Sequence, residues 1–129
     1  MELTNTELFK NLLDIELNGE DVDLHNDYKC SDVLYSGKDL RLKFKSNADE
    51  GEFLMIQFVD TEISKLEFSF GNNDGITLDN FHRGRYEIEG KLFDEYEGKK
   101  CFYIEFYEGG TIELLCKQVI LIHPRFPHQ

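Results

Sequence analysis

The sequence predicts an all-β protein: an antiparallel β-sandwich or partly open barrel with one short N-terminal helix. Three observations carry this. Residues 101–107 alternate, with Phe102, Ile104 and Phe106 opposed by Tyr103, Glu105 and Tyr107. The alternation resumes after Glu108-Gly109-Gly110, and period two over this length marks half-buried strands. Finally, eleven Phe against a single Ala, with no Trp, describe a strand core of aromatic and branched residues rather than a helical bundle.

The N-terminus supplies the helix. Thr4-Asn5-Thr6-Glu7 matches a capping box, and Leu8, Leu12 and Ile15 fall at i, i+4 and i+7, widened by Phe9 and Leu13. The pattern predicts a helix over residues 5–14, in a unit that Asn18-Gly19 closes. Residues 20–27 follow, where Asp21, Asp23, His25 and Asp27 alternate with Val22, Leu24 and Asn26. In an extended segment all four would point the same way. Such a row suits either a solvated acidic loop or edge strand, or a hard-cation site with oxygen ligands, although the glycine and closing Glu of an EF-hand loop are missing.

The first hairpin is set by Ser36-Gly37-Lys38-Asp39, a two-residue turn with Gly37 first, as type II′ prefers. That turn pairs Tyr35 with Leu40, Val33 with Leu42 and Ser31 with Phe44 on one face, and Leu34 with Arg41 and Asp32 with Lys43 on the other. Arg41, Lys43 and Lys45 form a basic stripe, read as an internal counter-charge. Residues 46–51 form a polar loop. Residues 53–59 are nearly all apolar and predict a central strand covered on both sides. Leu66, Phe68 and Phe70 alternate with Lys65, Glu67 and Ser69; residues 71–75 are loop-forming; Ile76 and Leu78 open another strand. His82-Arg83 falls in a loop before the meander of residues 85–122.

In the meander, a three-residue loop ending at Gly110 opposes Phe106 to Ile112, Ile104 to Leu114 and Phe102 to Cys116. A like loop, Tyr96-Glu97-Gly98, opposes Leu92 to Phe102 and Ile88 to Phe106. The outer face then carries Glu89, Glu105 and Glu113 in one row across three strands, with Glu87, Tyr103, Tyr107 and Lys91 around them. Like charges directly opposite cost stability. The row is either a plain solvated face or a binding face for a cationic partner, with Glu87, Glu89, Tyr103, Glu105, Tyr107 and Glu113 as its contact residues.

Length predicts one domain over residues 1–129, comprising the helical unit 1–18, a sheet core 28–122 and a tail 123–129 loosened by two prolines. Acidic residues outnumber basic ones 26 to 14, for a net charge of −12. That balance argues against nucleic acid and anionic membrane and favours basic partners. Three cysteines, Cys30, Cys101 and Cys116, make a disulfide framework improbable, and Cys116 falls on an apolar face as a buried free thiol. No signal peptide or membrane-spanning stretch is visible, so cytoplasmic residence is expected. Phosphate-binding glycine loops, nucleophile elbows, His-Glu-x-x-His and Cys-x-x-Cys are all missing, and the four histidines are scattered. The absence of Trp weakens a sugar-binding reading. The expectation is a non-enzymatic protein without cofactor or metal.

His25-Asn26-Asp27, the hairpin from Gly37 to Phe44, and Gly110-Thr111-Ile112-Glu113-Leu114-Leu115-Cys116 together give a layout that resembles the small acidic bacterial immunity-type domains that neutralise polymorphic toxins. The resemblance covers most of the chain from His25 onward. It implies an intracellular inhibitor that binds a basic toxin, often a nuclease. The alternative is a small-ligand or metal-binding β-sandwich using residues 21–27. The oligomeric state is left open by the sequence.

Overall fold

The computed structural model describes residues 1–17, 19–49, 51–68 and 75–123. The described residues contain strands and turns and no helix. In chain order the strands are β1 (Asp14–Leu17), β2 (Glu20–Asp23), β3 (Tyr28–Ser36), β4 (Asp39–Ser46), β5 (Phe53–Val59), β6 (Glu62–Phe68) and β7 (Leu78–Gly84). They continue with β8 (Tyr86–Ile88), β9 (Lys91–Phe93), β10 (Glu95–Tyr96), β11 (Lys99–Phe106), β12 (Gly110–Cys116) and β13 (Gln118–Ile122).

Two antiparallel sheets dominate. One has the order β13-β5-β4-β3. In the other, β6, β12 and β11 lie side by side, and both β7 and β10 pair with β11. Neither closes into a barrel. Two hairpins, β1-β2 and β8-β9, stand beside them. Alternation turns one face of each large sheet inward. Leu40, Leu42, Phe44, Leu54, Ile56 and Phe58 come from the first, and Phe81, Phe102, Ile104, Ile112 and Leu114 from the second, all in one apolar cluster. Phe58 meets the rings of Phe81 and Phe102 edge-on at 6.0 and 6.3 Å, joining the two sheets. Such ring pairs each add about 0.5–1.5 kcal/mol beyond their area burial. At one margin a pair of backbone hydrogen bonds between Cys30 and Ile76, 2.8 and 2.9 Å, stitches one sheet toward the other.

The N-terminal helix is replaced by edge pairing. Leu3 N–H donates to the Val119 carbonyl (2.9 Å) and Leu121 N–H to that of Met1 (2.8 Å), so residues 1–3 cover the margin of β13. The Thr4 hydroxyl, the would-be helix cap, accepts from the Val119 N–H at 2.7 Å. Further on, Phe9 and Leu12 N–H groups donate to the carbonyls of Arg83 and Phe81, both at 2.6 Å, along the margin of β7. An isolated helix this short is marginal in water, and two open sheet edges offer its backbone better partners. The apolar residues keep their purpose: Leu3, Leu12 and Ile15 are buried in the core.

The first hairpin keeps the expected register from Ser36↔Asp39 to Asp32↔Lys43, with Gly37 at φ 63°. A bulge at Ser31 then puts Cys30, not Ser31, opposite Phe44. β5 is central, between β13 and β4, but only its Leu54, Ile56 and Phe58 face is buried; Phe53 is exposed. Its other face, Met55, Gln57 and Val59, is half-buried, so among the described residues no second layer gives it the expected double covering. The residues Ser69 and Phe70, the loop 71–74 and the tail 124–129 lie outside the described residues. His123, assigned to the loose tail, is buried and its Nε2 lies 3.0 Å from Glu52 Oε1. All three cysteines are free and buried.

Candidate functional site

The meander is rearranged, and the site with it. β11 and β12 pair with Ile104 opposite Ile112 and Phe102 opposite Leu114, two residues away from the expected register. The loop is Tyr107-Glu108-Gly109, with Gly109 at φ 101°. A two-residue slip leaves every side chain on its own face, so alternation cannot detect it. Residues 86–93 fold back on themselves instead of pairing with β11, giving Tyr86↔Phe93, Glu87↔Leu92 and Ile88↔Lys91. Neither Leu92 nor Ile88 opposes Phe102 or Phe106. The 96–99 connection is a two-residue turn, Tyr96↔Lys99, rather than a three-residue loop.

β7 takes the vacated place on β11, pairing His82 with Tyr103 and Asn80 with Glu105. His82 is therefore a strand residue. The expected row of three glutamates does not form. One outward row reads His82, Tyr103, Glu113, Lys65, and the next Asn80, Glu105, Thr111, Glu67. Glu113 faces Tyr103 on one side and Lys65 on the other, so the like-charge cost is avoided. Glu89 sits in the β8-β9 turn at φ 50°, and Tyr107, 75% exposed, in the β11-β12 turn.

The structure nonetheless brings three of the six expected residues around one groove of about 500 Å³. Its floor is the outer face of the second sheet, with His82, Cys101, Tyr103 and Glu113. Phe9 and the β8-β9 hairpin, through Tyr86, Glu87 and Leu92, make its walls. The hairpin is held by rings, Tyr86 and Phe93 lying 6.0 and 6.4 Å from Tyr96. Phe9 has φ 64°, a costly backbone state for a bulky residue. Its ring lies 5.4 Å from the Arg85 guanidinium, whose Nε donates to Asp94 Oδ1 at 3.1 Å. Arg85, the one arginine among the described residues that line the groove, is thus tied to the wall.

Charge in the groove is acidic and its aromatic floor is close-set. The rings of His82 and Tyr103 are 5.3 Å apart. Burial, then the neighbouring carboxylates Glu105 and Glu113, push the Tyr103 phenol above its ordinary range, so it stays a neutral donor. Burial and then Glu113 raise the Cys101 thiol to about 11, Arg83 opposing; it is protonated at neutral pH, and its Sγ donates to the Arg85 carbonyl at 3.6 Å. A neutral thiol is a poor nucleophile. What the groove offers is carboxylate oxygens beside aromatic and aliphatic walls, a setting for a cationic side chain with an apolar stem. Sequence reading missed Phe9, assigned to a helix, and His82, assigned to a loop. No alternation announced His82: the buried residues of β7 are Leu78, Phe81 and Gly84, three apart, so the run carries no period-two strand signal.

The acidic segment is divided. Asp23 turns inward on its own turn, Oδ1 accepting from the N–H groups of His25 (3.1 Å) and Asn26 (3.0 Å) and Oδ2 from Asn26 Nδ2 (2.8 Å). Asp23 and His25 border one depression with Asp79, Asp21 and Asp27 another with Glu52. The turn after β2 breaks the alternation that would have aligned them. Among the described residues no three His, Cys, Asp or Glu are grouped to hold a metal, and no helix is long and apolar enough to cross a membrane. Comparison with models of protein families, with characterised proteins and with solved structures finds no match to the chain.

Proposed function

We propose that this protein is a non-enzymatic, cytoplasmic binding protein of the immunity type, a β-sandwich whose acidic groove docks a basic protein partner such as a toxin. The observation that carries this reading is the groove itself. Glu113 lies directly across from Tyr103 on its floor, Glu87 stands in its wall and Glu105 follows on the same face, with Phe9, Tyr86 and Leu92 supplying apolar contact. A Lys or Arg side chain entering there meets two carboxylates at its head and rings along its stem. Glu89 and Tyr107 stand away from that point and act as an outer rim. The net charge of −12 steers a basic protein toward the molecule and makes encounter salt-sensitive.

The test uses as partner the basic protein that a pull-down with this chain recovers from its native host. Glu105→Gln at the margin slows association severalfold at low salt, with little change in lifetime. Glu113→Gln in the floor shortens the lifetime of the complex by about tenfold or more, the worth of a charge-assisted hydrogen bond of about 1.5–3 kcal/mol. Stopped-flow association and surface-plasmon dissociation measure the two. A complex that forms with both rates untouched by these substitutions removes the groove from the interface.

A further inference from the structure

The basic stripe of β4 remains unaccounted for by the groove. Arg41, Lys43 and Lys45 project from the outer face of the first sheet, on the opposite side of the molecule. Register places Lys29 beside Lys45, Asp32 beside Lys43 and Leu34 beside Arg41. On the other flank Phe53, Met55 and Gln57 follow from β5, then Ile120 and Ile122 from β13. Four cations, Lys29, Arg41, Lys43 and Lys45, cluster on β3 and β4 around Asp32, while Asp39, held by Gln57 (3.0 Å), and Glu2, bridged to Ile120, stand at the margins of the face. This is a basic cluster in a chain whose net charge is −12. No ion pair among the described residues involves Arg41, Lys43 or Lys45. Lys43 lies instead over the Phe53 ring, 4.8 Å from its centroid. Leu34 is 54% and Phe53 37% exposed, so apolar surface adjoins the charges.

The outer face of the second sheet is its counterpart. It bears Glu67, Glu105 and Glu113, with Glu87 in the wall above, against Lys65, which already lies 3.8 Å from Glu67, and Arg85, which is paired with Asp94 at 3.1 Å. Leu92, Phe9 and Tyr107 are its exposed apolar groups. We infer that the cationic face of one copy docks onto the acidic groove face of a second copy, head to tail. A two-fold contact centred on the basic cluster would set cations against cations, and one centred on the groove acids against acids, so both are disfavoured. A contact between unlike faces on opposite sides of the molecule does not close and builds open chains. The contact rests on a few solvent-exposed charge pairs, each worth little, so it is weak and seen only in concentrated protein. The overall negative charge opposes it at very low salt. Near 0.1 M salt, fields decay over about 10 Å. Sheets alone pack about 10 Å apart, so a docked face responds to the patch it meets rather than to the acids behind it. The same contact covers the groove, so self-association and binding of a basic partner exclude each other.

Sedimentation equilibrium on the whole chain tests this. At about 0.1 M salt the weight-average mass rises by at least about half between about 10 µM and 1 mM, and the rise is lost near 1 M salt, where fields decay over about 3 Å. Arg41→Glu with Lys45→Glu abolishes the rise, as does Glu87→Lys with Glu105→Lys; melting curves establish that each double variant is folded. Mixing the two variants pairs a negative first face with a positive second face and restores the mass increase. A wild-type protein that stays monomeric at about 1 mM overturns the inference. So does association that strengthens with salt, or a mixture that fails to recover it. The partner complex, assayed with dilute protein, is unaffected by Arg41→Glu with Lys45→Glu, so failure here leaves the groove's own function standing.

Discussion

A methyl group added at Gly75 would lie 2.8 Å from the carbonyl oxygen of Cys30 and 3.1 Å from Lys29 Cβ. Both are fixed by the Cys30–Ile76 hydrogen bonds that stitch the sheets together, so the neighbours cannot yield without losing them. Gly84, equally buried, has open space where its Cβ would be. Gly75→Ala should therefore cost about 1–3 kcal/mol through overpacking, whereas Gly84→Ala should be neutral or slightly stabilising by reducing freedom in the unfolded chain. Urea unfolding of the two variants measures the difference; equal midpoints would mean that the Cys30 margin is not tightly packed. At this scale the sequence was readable where a residue's type dictated its surroundings. Cys116 was correctly read as a buried free thiol from its apolar face. It was unreadable where a residue's environment comes from distant chain. Phe9 looked like part of a helical stripe, but the Arg83 carbonyl and the Arg85 guanidinium, both far along the sequence, hold it over the groove.

Turns decide how far each element was legible. Gly37 permits one two-residue turn, and the β3-β4 register followed correctly until the Ser31 bulge, which no local pattern announces. Gly109-Gly110 permits two loops that differ by two residues and preserve alternation. The choice is made by β6, because a Cβ at Gly110 would meet the Glu67 carbonyl at 2.8 Å. That strand contact places Gly110 in the ladder and leaves Gly109 to close the loop. The helix failed for a related reason: a capping pattern describes only local preference, and here two sheet edges competed for the same backbone. The β8-β9 and β10-β11 turns, Glu89-Gly90 and Glu97-Gly98, have positive φ at both positions, 50° and 81°, then 52° and 78°. That is the type I′ conformation, which favours Asn-Gly over Glu-Gly. Glu89→Asn and Glu97→Asn should each raise stability, by up to about 1 kcal/mol given the roughly 1–2 kcal/mol cost of the left-handed state for an ordinary residue. Glu89→Asn should also leave the dissociation rate of a partner complex unchanged, since Glu89 is at the tip of the hairpin and not in the groove. Thermal melts and dissociation traces check the pair. A destabilised Glu89→Asn would show that the turn carboxylate holds the hairpin through an interaction worth more than the backbone gain.

Over the whole molecule, an acidic surface and three buried thiols bound stability from opposite sides of the pH scale. On the acid side, burial raises the Asp23 carboxyl, but hydrogen bonds from Asn26 and His25 outweigh it and leave it below its ordinary 3.8. Burial likewise raises Glu108, while the Thr77 N–H and hydroxyl bring it below 4.5. A carboxyl depressed by folding stabilises fully above its unfolded value, and that contribution disappears as pH falls through the folded value. Both losses therefore begin below about pH 4.5. Between neutrality and that point the dominant change is different. Protonation reduces the net charge from −12 toward zero near the isoelectric point of about 4.6, relieving self-repulsion. On the alkaline side, burial pushes Cys30 and Cys116 from 9.0 up to about 12 and Cys101 to about 11. A thiol raised by folding contributes fully below its unfolded value, and the contribution is lost as pH climbs from there to the folded value. Each unit is worth about 1.4 kcal/mol, so two thiols raised this far remove several kcal/mol by strongly alkaline pH, a large share of a typical total of about 5–15 kcal/mol. Urea midpoints measured from pH 3 to 11 should therefore peak on the acid side of neutrality, near about pH 5–6, fall below about pH 4 and fall steeply above about pH 9. Asp23→Asn should flatten the acid limb. Cys30→Ala should lower the whole curve, because it leaves a cavity, yet flatten its alkaline limb. A plateau extending to pH 11 in the wild type would show that the thiols ionise freely and that the core around Cys30 and Cys116 admits water.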